Sequence, residues 1–194
     1  MDYQIILASG SPRRKTFFEQ MGYPFIQKII SVDEVFPESL SGVDITEYIV
    51  KSKAEPFKSK IKENQLVITA DTIVWHQNQC LGKPENEKIA ELMLSKLSDS
   101  THKVITSVGF LQKDKWETIS CISEVSFGKL NSKSIRDYIS SGSPMDKAGG
   151  YGIQDLFGIL YINSIKGSYT NIIGLPVAQV LKKLQEILKN KKSF

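Results

Sequence analysis

The stretch at residues 5–15 limits the fold more strongly than any other part of the chain. Residues 5–8 are a short apolar run, which is typical of a buried strand, and residues 9–11 form a turn. Ser11 can cap a helix, and Pro12 suits the first helical position because its missing N–H costs nothing there. The stretch therefore predicts a strand, a tight loop and a helix in direct succession.

Three cations crowd the first turn of this helix, namely Arg13, Arg14 and Lys15. The helix dipole already makes that end positive, so each misplaced cation should cost about 0.3–1 kcal/mol. Either the three side chains lie on a solvated face or an anion binds there. We favour an anion, because backbone N–H groups at a helix start bind phosphate and arginine adds forked donors. We expect Lys15 itself to be a solvated surface residue.

The remaining pattern indicates an α/β fold with a mixed sheet, since strands and helices alternate early and several strands come together later. The run at 66–75 is nearly continuous apolar and β-branched, which predicts a central strand. A capping box at 44–47 predicts a helix that either ends before Pro56 or continues through 57–62 after a kink. We expect Pro84 at the first position of another helix, and short strands within 157–173.

Composition excludes several classes of protein. The chain has no apolar run of about 18 residues and no signal-like start, so we expect a cytoplasmic protein without a membrane span. Cys80 and Cys121 lack disulfide or zinc spacing, and His76 and His102 are too few for a histidine-rich metal site. The net charge of +4 comes from residues 182–194, which hold five lysines and one acid, so we expect no nucleic-acid-binding face.

Two acidic positions could carry chemistry. Asp71 lies inside the predicted central strand, where an unpartnered carboxylate would be costly. It is either satisfied structurally by a lysine or a backbone donor, or it is a metal ligand or general base. Glu34 and Asp33 follow a predicted strand and could also be loop acids in water. Two separated carboxylate sites are what a Mg²⁺ ion that bridges substrate phosphates requires.

Two lysines complete the candidate set. Lys83 stands between Gly82 and Pro84, where an ammonium and the backbone N–H groups of a helix start could meet phosphate. The triplet lacks the spaced glycine and the Ser or Thr of a Walker motif. Lys53 lies on a predicted helix and could equally be solvated.

Taken in order, eight short motifs resemble those of the Maf family of nucleoside triphosphate pyrophosphatases. They are Leu7–Arg14, Val32–Glu34, Lys53–Ala54, Ala70–Val74, Leu81–Pro84, Asp146–Gly149, Tyr151–Gln154 and Gly174–Pro176. The resemblance covers almost the whole chain and implies a single Maf-like domain over residues 1–194. It also implies an α/β fold with a mixed, elongated, twisted sheet flanked by helices and two lobes around a cleft, similar to the inosine triphosphatase fold.

The resemblance implies hydrolysis between the α- and β-phosphates of a nucleotide, to a monophosphate and pyrophosphate, in house-cleaning of the nucleotide pool. Asp71 matches the family's proton acceptor, and Glu34 with Asp71 would place Mg²⁺ or Mn²⁺ on the triphosphate. The other residues that match the substrate-binding cleft are Ser9, Arg13, Arg14, Lys53 and Lys83.

The resemblance also implies a substrate class. Arg13, Thr72 and Gln154 match three positions tied to base choice and resemble the branch that acts on dTTP and UTP. The alternative within the family is the branch that acts on 7-methyl-GTP, which carries Gln and Glu where this chain has Thr72 and Gln154. Asp155 departs from the family, because a glycine is usual at that position.

A non-enzymatic alternative stays open. The chain could be a nucleotide- or nucleic-acid-binding regulator of cell division, a role associated with Maf-like proteins, in which the lysine tail at 189–192 would take part. A homodimer is also left open by the sequence.

Overall fold

The structure is a computed structural model that describes residues 3–189. Its strands are β1 (Gln4–Leu7), β2 (Phe25–Gln27), β3 (Gln65–His76), β4 (Gln79–Leu81), β5 (Thr101–Leu111), β6 (Trp116–Phe127) and β7 (Ile162–Lys166). Its helices are α1 (Pro12–Gln20), α2 (Val43–Lys58), α3 (Glu87–Leu97), α4 (Ser132–Ser140), α5 (Leu156–Tyr161), α6 (Tyr169–Ile173) and α7 (Val177–Lys189). Short 3₁₀ turns cover Ser143–Asp146 and Ala148–Gly150.

The strands form one seven-stranded mixed sheet in the order β2-β1-β3-β5-β6-β7, with β4 paired to β3. Strand β1 runs parallel to β2 and to β3, with Leu7 opposite Ile68 in β3. Strand β4 is antiparallel to β3, and β7 is antiparallel to β6. The predicted α/β class with a mixed sheet is confirmed.

The chain divides into two compact units. Within the described residues, the first unit takes in residues 3–71, 106–121 and 174–189, and the second takes in 72–105 and 122–173. Each unit has a hydrophobic core of its own. The first core includes Leu7, Phe18, Leu66, Phe110 and Leu184, and the second includes Leu94, Leu97, Phe127, Tyr138 and Phe157. The single domain over residues 1–194 stays a prediction.

The predicted start of helix α1 is confirmed. Ser11 is its N-cap, and its hydroxyl accepts a hydrogen bond from the backbone N–H of Arg14 at 3.5 Å. Pro12 is the first helical residue. Lys15 is exposed and pairs with Glu19 at 3.6 Å, so it is the surface residue that we expected.

Helix α2 differs from the prediction at its start, and at its end it takes the second of the two predicted courses. It begins after Gly42, so Asp44 lies in the first turn rather than at the cap. It also continues through Pro56 to Lys58. Phe57 is only 5% exposed and packs in an apolar cluster beneath the helix, and this burial outweighs the local effect of the proline.

Two predictions in the second unit were wrong. Helix α3 begins at Glu87 rather than Pro84, because the Asn86 side chain caps it by accepting from the N–H of Ile89 at 3.0 Å. The segment expected to hold short strands folds as α5, β7 and α6, so only Ile162–Lys166 is a strand.

None of the helices between residues 3 and 189 combines the length and apolar character that crossing a bilayer requires. The lysine tail assigned to the regulator alternative lies outside the described residues beyond Lys189.

Candidate functional site

The alternation of strand β3 places Asp71 beneath helix α2. Val67 packs in the apolar cluster that includes Ala54 of α2, while Leu66 belongs to the core on the other face. Asp71 shares the parity of Val67 and Thr69, and successive side chains of a strand point to opposite faces. The Thr69 hydroxyl donates to the Val50 carbonyl of α2 at 2.9 Å, which fixes the strand against the helix.

Lys53 follows Val50 by three residues, so both lie on the same side of α2. Its ammonium meets Asp71 Oδ1 at 2.8 Å and Glu34 Oε1 at 2.9 Å. The lysine and aspartate side chains are 14% and 9% exposed, whereas that of Glu34 is 52% exposed. The lysine that the structural interpretation of Asp71 required is therefore present, but it is shared with a second acid.

Arg14 connects the start of helix α1 to the middle of strand β3, next to Asp71. Its Nε donates to the Gly174 carbonyl at 2.9 Å, and its Nη1 donates to the Ala70 carbonyl at 2.9 Å and to Ser9 Oγ at 3.2 Å. Burial lowers the pKa of Arg14, although the carboxylates of Asp71 and Glu34 oppose that shift. A cation held in such surroundings favours an anionic ligand.

Ser9 is 7% exposed and is held from several sides. Its hydroxyl accepts the Ser11 N–H at 3.3 Å, and its carbonyl accepts from the Gln27 side chain at 2.7 Å. We call the set Ser9, Arg14, Glu34, Lys53 and Asp71 the charged cluster. The cluster lies wholly in the first unit.

Sequence reasoning missed a glycine that supports the charged cluster. A Cβ atom on Gly109 would lie 2.1 Å from the Trp116 indole and 2.8 Å from Thr69 Oγ1. Strand β5 therefore needs glycine here for Thr69 to reach α2. The signal was a lone glycine inside a strand pattern, which often marks close backbone approach, but its partners depend on strand register.

The other predicted site residues are less tightly held. Arg13 and Thr72 are half-buried and make polar contacts. Lys83 and Gln154 are exposed and make no hydrogen bond or ion pair with the rest of residues 3–189. Thr72, Lys83 and Gln154 belong to the second unit. Because α3 begins at Glu87, Lys83 does not directly precede a helix start, which corrects one argument for phosphate binding there.

Glu34 and Asp71 can supply only part of the ligands of a metal ion. Across residues 3–189, no three His, Cys, Asp or Glu side chains gather as a metal site. Glu34 and Asp71 do converge on one cation, the Lys53 ammonium. Mg²⁺ is commonly bound through one or two carboxylates and substrate phosphates, so the pair fits an ion that takes its remaining ligands from the nucleotide and water.

Both histidines are buried in the structure. His76 is 6% exposed and His102 is 2% exposed. The Nε2 of His102 lies 2.7 Å from the Tyr151 hydroxyl. Burial, with a smaller effect of His76, lowers the pKa of His102 to about 3, so this imidazole is neutral at physiological pH.

Known proteins match this chain over most of its length. The family model described as "Maf-like protein" matches residues 4–187. A dTTP/UTP pyrophosphatase of Flavobacterium psychrophilum is 48% identical over 91% of each chain, and one of Flavobacterium johnsoniae is 44% identical over 96% of each chain. A solved Ham1 protein of Staphylococcus aureus is similar with a TM-score of 0.47 and 13% identity, over 64% of this chain and 71% of that chain, which is too weak to identify a fold. The family match and these relatives show that the chain belongs to the Maf family.

Proposed function

We propose that the protein is a nucleoside triphosphate pyrophosphatase that hydrolyses dTTP and UTP to the monophosphate and pyrophosphate. The carrying observation is the Lys53 ammonium between the Glu34 and Asp71 carboxylates, with the Arg14 guanidinium on the carbonyl of the neighbouring Ala70. Such a group can position both a water and a phosphate. The printed names of the relatives support the same substrate class. The activity would clear the cytoplasmic nucleotide pool.

Asp71 is the proton acceptor in this proposal. Its Oδ1 is engaged by Lys53, and no donor among residues 3–189 contacts its Oδ2. Oδ2 therefore takes a proton from water as the water oxygen bonds to the α-phosphorus. The bond from the α-phosphorus to the bridging oxygen breaks, and pyrophosphate leaves with the electron pair. Lys53 keeps the carboxylate oriented during this step.

The phosphates are proposed to bind cations from several segments. Arg13 and Arg14 lie in the first turn of α1, whose backbone N–H groups favour an anion. Ser9, Lys53 and Lys83 complete the proposed phosphate-binding set. Positioning and electrostatics supply most of the catalysis of phosphoryl transfer, which suits a site of fixed charges.

The proposed metal is Mg²⁺ or Mn²⁺, held by Glu34 and Asp71. Either ion would neutralise charge on the triphosphate as pyrophosphate departs. Base choice is assigned to Arg13, Thr72 and Gln154. The amide of Gln154 is exposed and offers both a donor and an acceptor, as pairing with a uracil or thymine edge requires.

A pyrophosphate-release screen tests the function directly. The purified full chain is assayed with dTTP, UTP, CTP and 7-methyl-GTP, in Mg²⁺, in Mn²⁺ and with excess chelator. We expect release from dTTP and UTP that depends on the metal. Release from 7-methyl-GTP alone would overturn the substrate class, and no release from any nucleotide would favour a regulator. A homodimer is a separate proposal, which light scattering of the eluted protein tests.

A further inference from the structure

Gln154 lies in a tight turn whose backbone is closed by hydrogen bonds. The turn runs from Gly152 to Asp155, and the Asp155 N–H donates to the Gly152 carbonyl at 3.1 Å. The Gly152 N–H donates in turn to the Tyr138 hydroxyl at 3.0 Å. We call residues 152–155 the glutamine turn. Gln154 is its third residue, and its side chain is exposed.

The carboxylate of Asp155 closes the other end of the glutamine turn. Its Oδ2 accepts from the Tyr138 hydroxyl at 2.5 Å and from Ser143 Oγ at 2.8 Å, and Lys147 Nζ lies 3.6 Å away. The Tyr138 hydroxyl therefore accepts from one end of the turn and donates to the other. One buried oxygen atom ties both ends together.

The protonation states suit these roles. Burial raises the pKa of Tyr138, and the hydrogen bond to Asp155 raises it further, so the phenol keeps its proton. Burial also raises the pKa of Asp155, but the hydrogen bonds from Tyr138 and Ser143 and the charge of Lys147 outweigh it, so the net pKa lies below its usual value. The donor and the acceptor are both fixed at neutral pH.

The surrounding packing leaves the glutamine turn little room to move. A Cβ atom on Gly152 would lie 2.6 Å from the Asp155 carboxylate, and one on Gly158 of α5 would lie 2.3 Å from the Gly152 carbonyl. The Tyr138 ring stacks on Phe157 with centroids 4.4 Å apart and an interplanar angle of 7°. The backbone on both sides of Gln154 is therefore held, while its amide stays available for a ligand.

We propose that Asp155 is a positioning residue for base recognition, which acts through Tyr138 to hold the glutamine turn and so presents Gln154 to the pyrimidine. This inference rests on the proposed function and extends it, because the Asp155 carboxylate binds protein groups rather than substrate. A glycine at this position could make none of these side-chain contacts. Preorganisation of a recognition group lowers the entropy lost on binding.

The test compares base discrimination among three variants in the full chain. Asp155→Gly removes the carboxylate, Tyr138→Phe removes the bridging hydroxyl but keeps the ring, and Asp155→Asn keeps an acceptor for Tyr138. We expect the first two to lower the ratio of kcat/KM for UTP over CTP about tenfold, through KM rather than kcat. Asp155→Asn should retain most of the ratio. Asp137→Asn, an exposed acid on α4, is the matched control.

The possible outcomes distinguish a failure of the positioning role from a failure of the proposed pyrophosphatase function. A folded Asp155→Gly or Tyr138→Phe protein with the wild-type UTP/CTP ratio overturns the positioning role and leaves the pyrophosphatase intact. An equal fall in kcat for both nucleotides, without a change in the ratio, also overturns it, since that result indicates a purely structural role. If Asp155→Gly does not fold, Tyr138→Phe decides the question. Wild-type protein that hydrolyses no nucleotide overturns both proposals.

Discussion

The charged cluster and the glutamine turn are organised in opposite ways. In the cluster, the functional side chains are themselves held, because Lys53 bridges two acids and Arg14 binds three oxygen acceptors. In the turn, the backbone is held and the side chain of Gln154 is left exposed. The difference shows two routes to preorganisation. Charges that must face one another are fixed by mutual contacts, whereas a group that must meet a base is fixed through its main chain.

If contacts within the cluster carry the chemistry, Asp71→Asn should have the largest effect. The amide retains the size of the carboxylate but accepts a proton poorly, so we expect kcat to fall about 10²- to 10⁴-fold. Pyrophosphate release from UTP measures the loss, and circular dichroism checks the fold. Asp114→Asn, at an exposed hairpin acid, should leave the rate unchanged. Full activity in Asp71→Asn would remove the cluster from the mechanism.

The second-largest effect should follow removal of the Lys53 ammonium. Lys53→Met removes the ammonium that lies between the Glu34 and Asp71 carboxylates. We expect a fall of about 10²-fold in kcat/KM and about 2 kcal/mol in the free energy of unfolding, since a largely buried acid loses its partner. Denaturant titration measures the second quantity. Lys51→Met, on the exposed side of α2, is the control, and equal behaviour of the two variants contradicts the prediction.

A smaller effect should come from a residue that only supports the cluster. Thr69→Val removes the hydrogen bond to the Val50 carbonyl, which should cost about 1 kcal/mol of unfolding free energy. Turnover should fall about fivefold, because the strand that carries Asp71 is less firmly fixed to α2. Thr69→Ser keeps the hydroxyl and should recover most of both losses. No difference between Val and Ser would show that the contact does not position the site.

The smallest effect on stability should occur outside the cluster. Lys83 is exposed and makes no polar contact within residues 3–189, so Lys83→Met should change the unfolding free energy by less than about 0.5 kcal/mol. We nevertheless expect KM for UTP to rise about tenfold, because one phosphate-binding cation is lost. Lys88→Met on α3 is the matched control. If Lys83→Met lowered the melting temperature and left KM for UTP unchanged, Lys83 would be a structural residue and not a phosphate-binding one.

Much of the first unit could be predicted because its signals are local. A Ser-Pro pair defines the start of α1, and a continuous β-branched run defines β3 with Asp71 inside it. The convergence of Glu34, Lys53 and Asp71 could not be derived from the residues alone, since it depends on which face of β3 meets α2 and on the position of a long loop. The Maf resemblance named these residues, but it did not supply their mutual contacts.

The failed predictions have two physical causes. Tertiary burial of Phe57 carried α2 past Pro56, and a better cap at Asn86 moved the start of α3 away from Pro84. At α2 burial outweighs the local cost of the proline, whereas at α3 one local preference, the Asn86 cap, outweighs another. The role of Tyr138 could not be predicted from the sequence either, because its hydroxyl joins the two ends of a turn that begins 14 residues further along the chain.

The absence of a Cβ atom at Gly109 affects how inactive variants of this enzyme should be interpreted. Any larger residue there must displace the Trp116 indole or the Thr69 hydroxyl, and the displacement passes directly to the helix that carries Lys53. A screen for inactive variants should therefore find substitutions at Gly109 as well as at Glu34 and Asp71. Loss of turnover at such a position would report the spacing between a strand and a helix, and not a residue that the nucleotide touches.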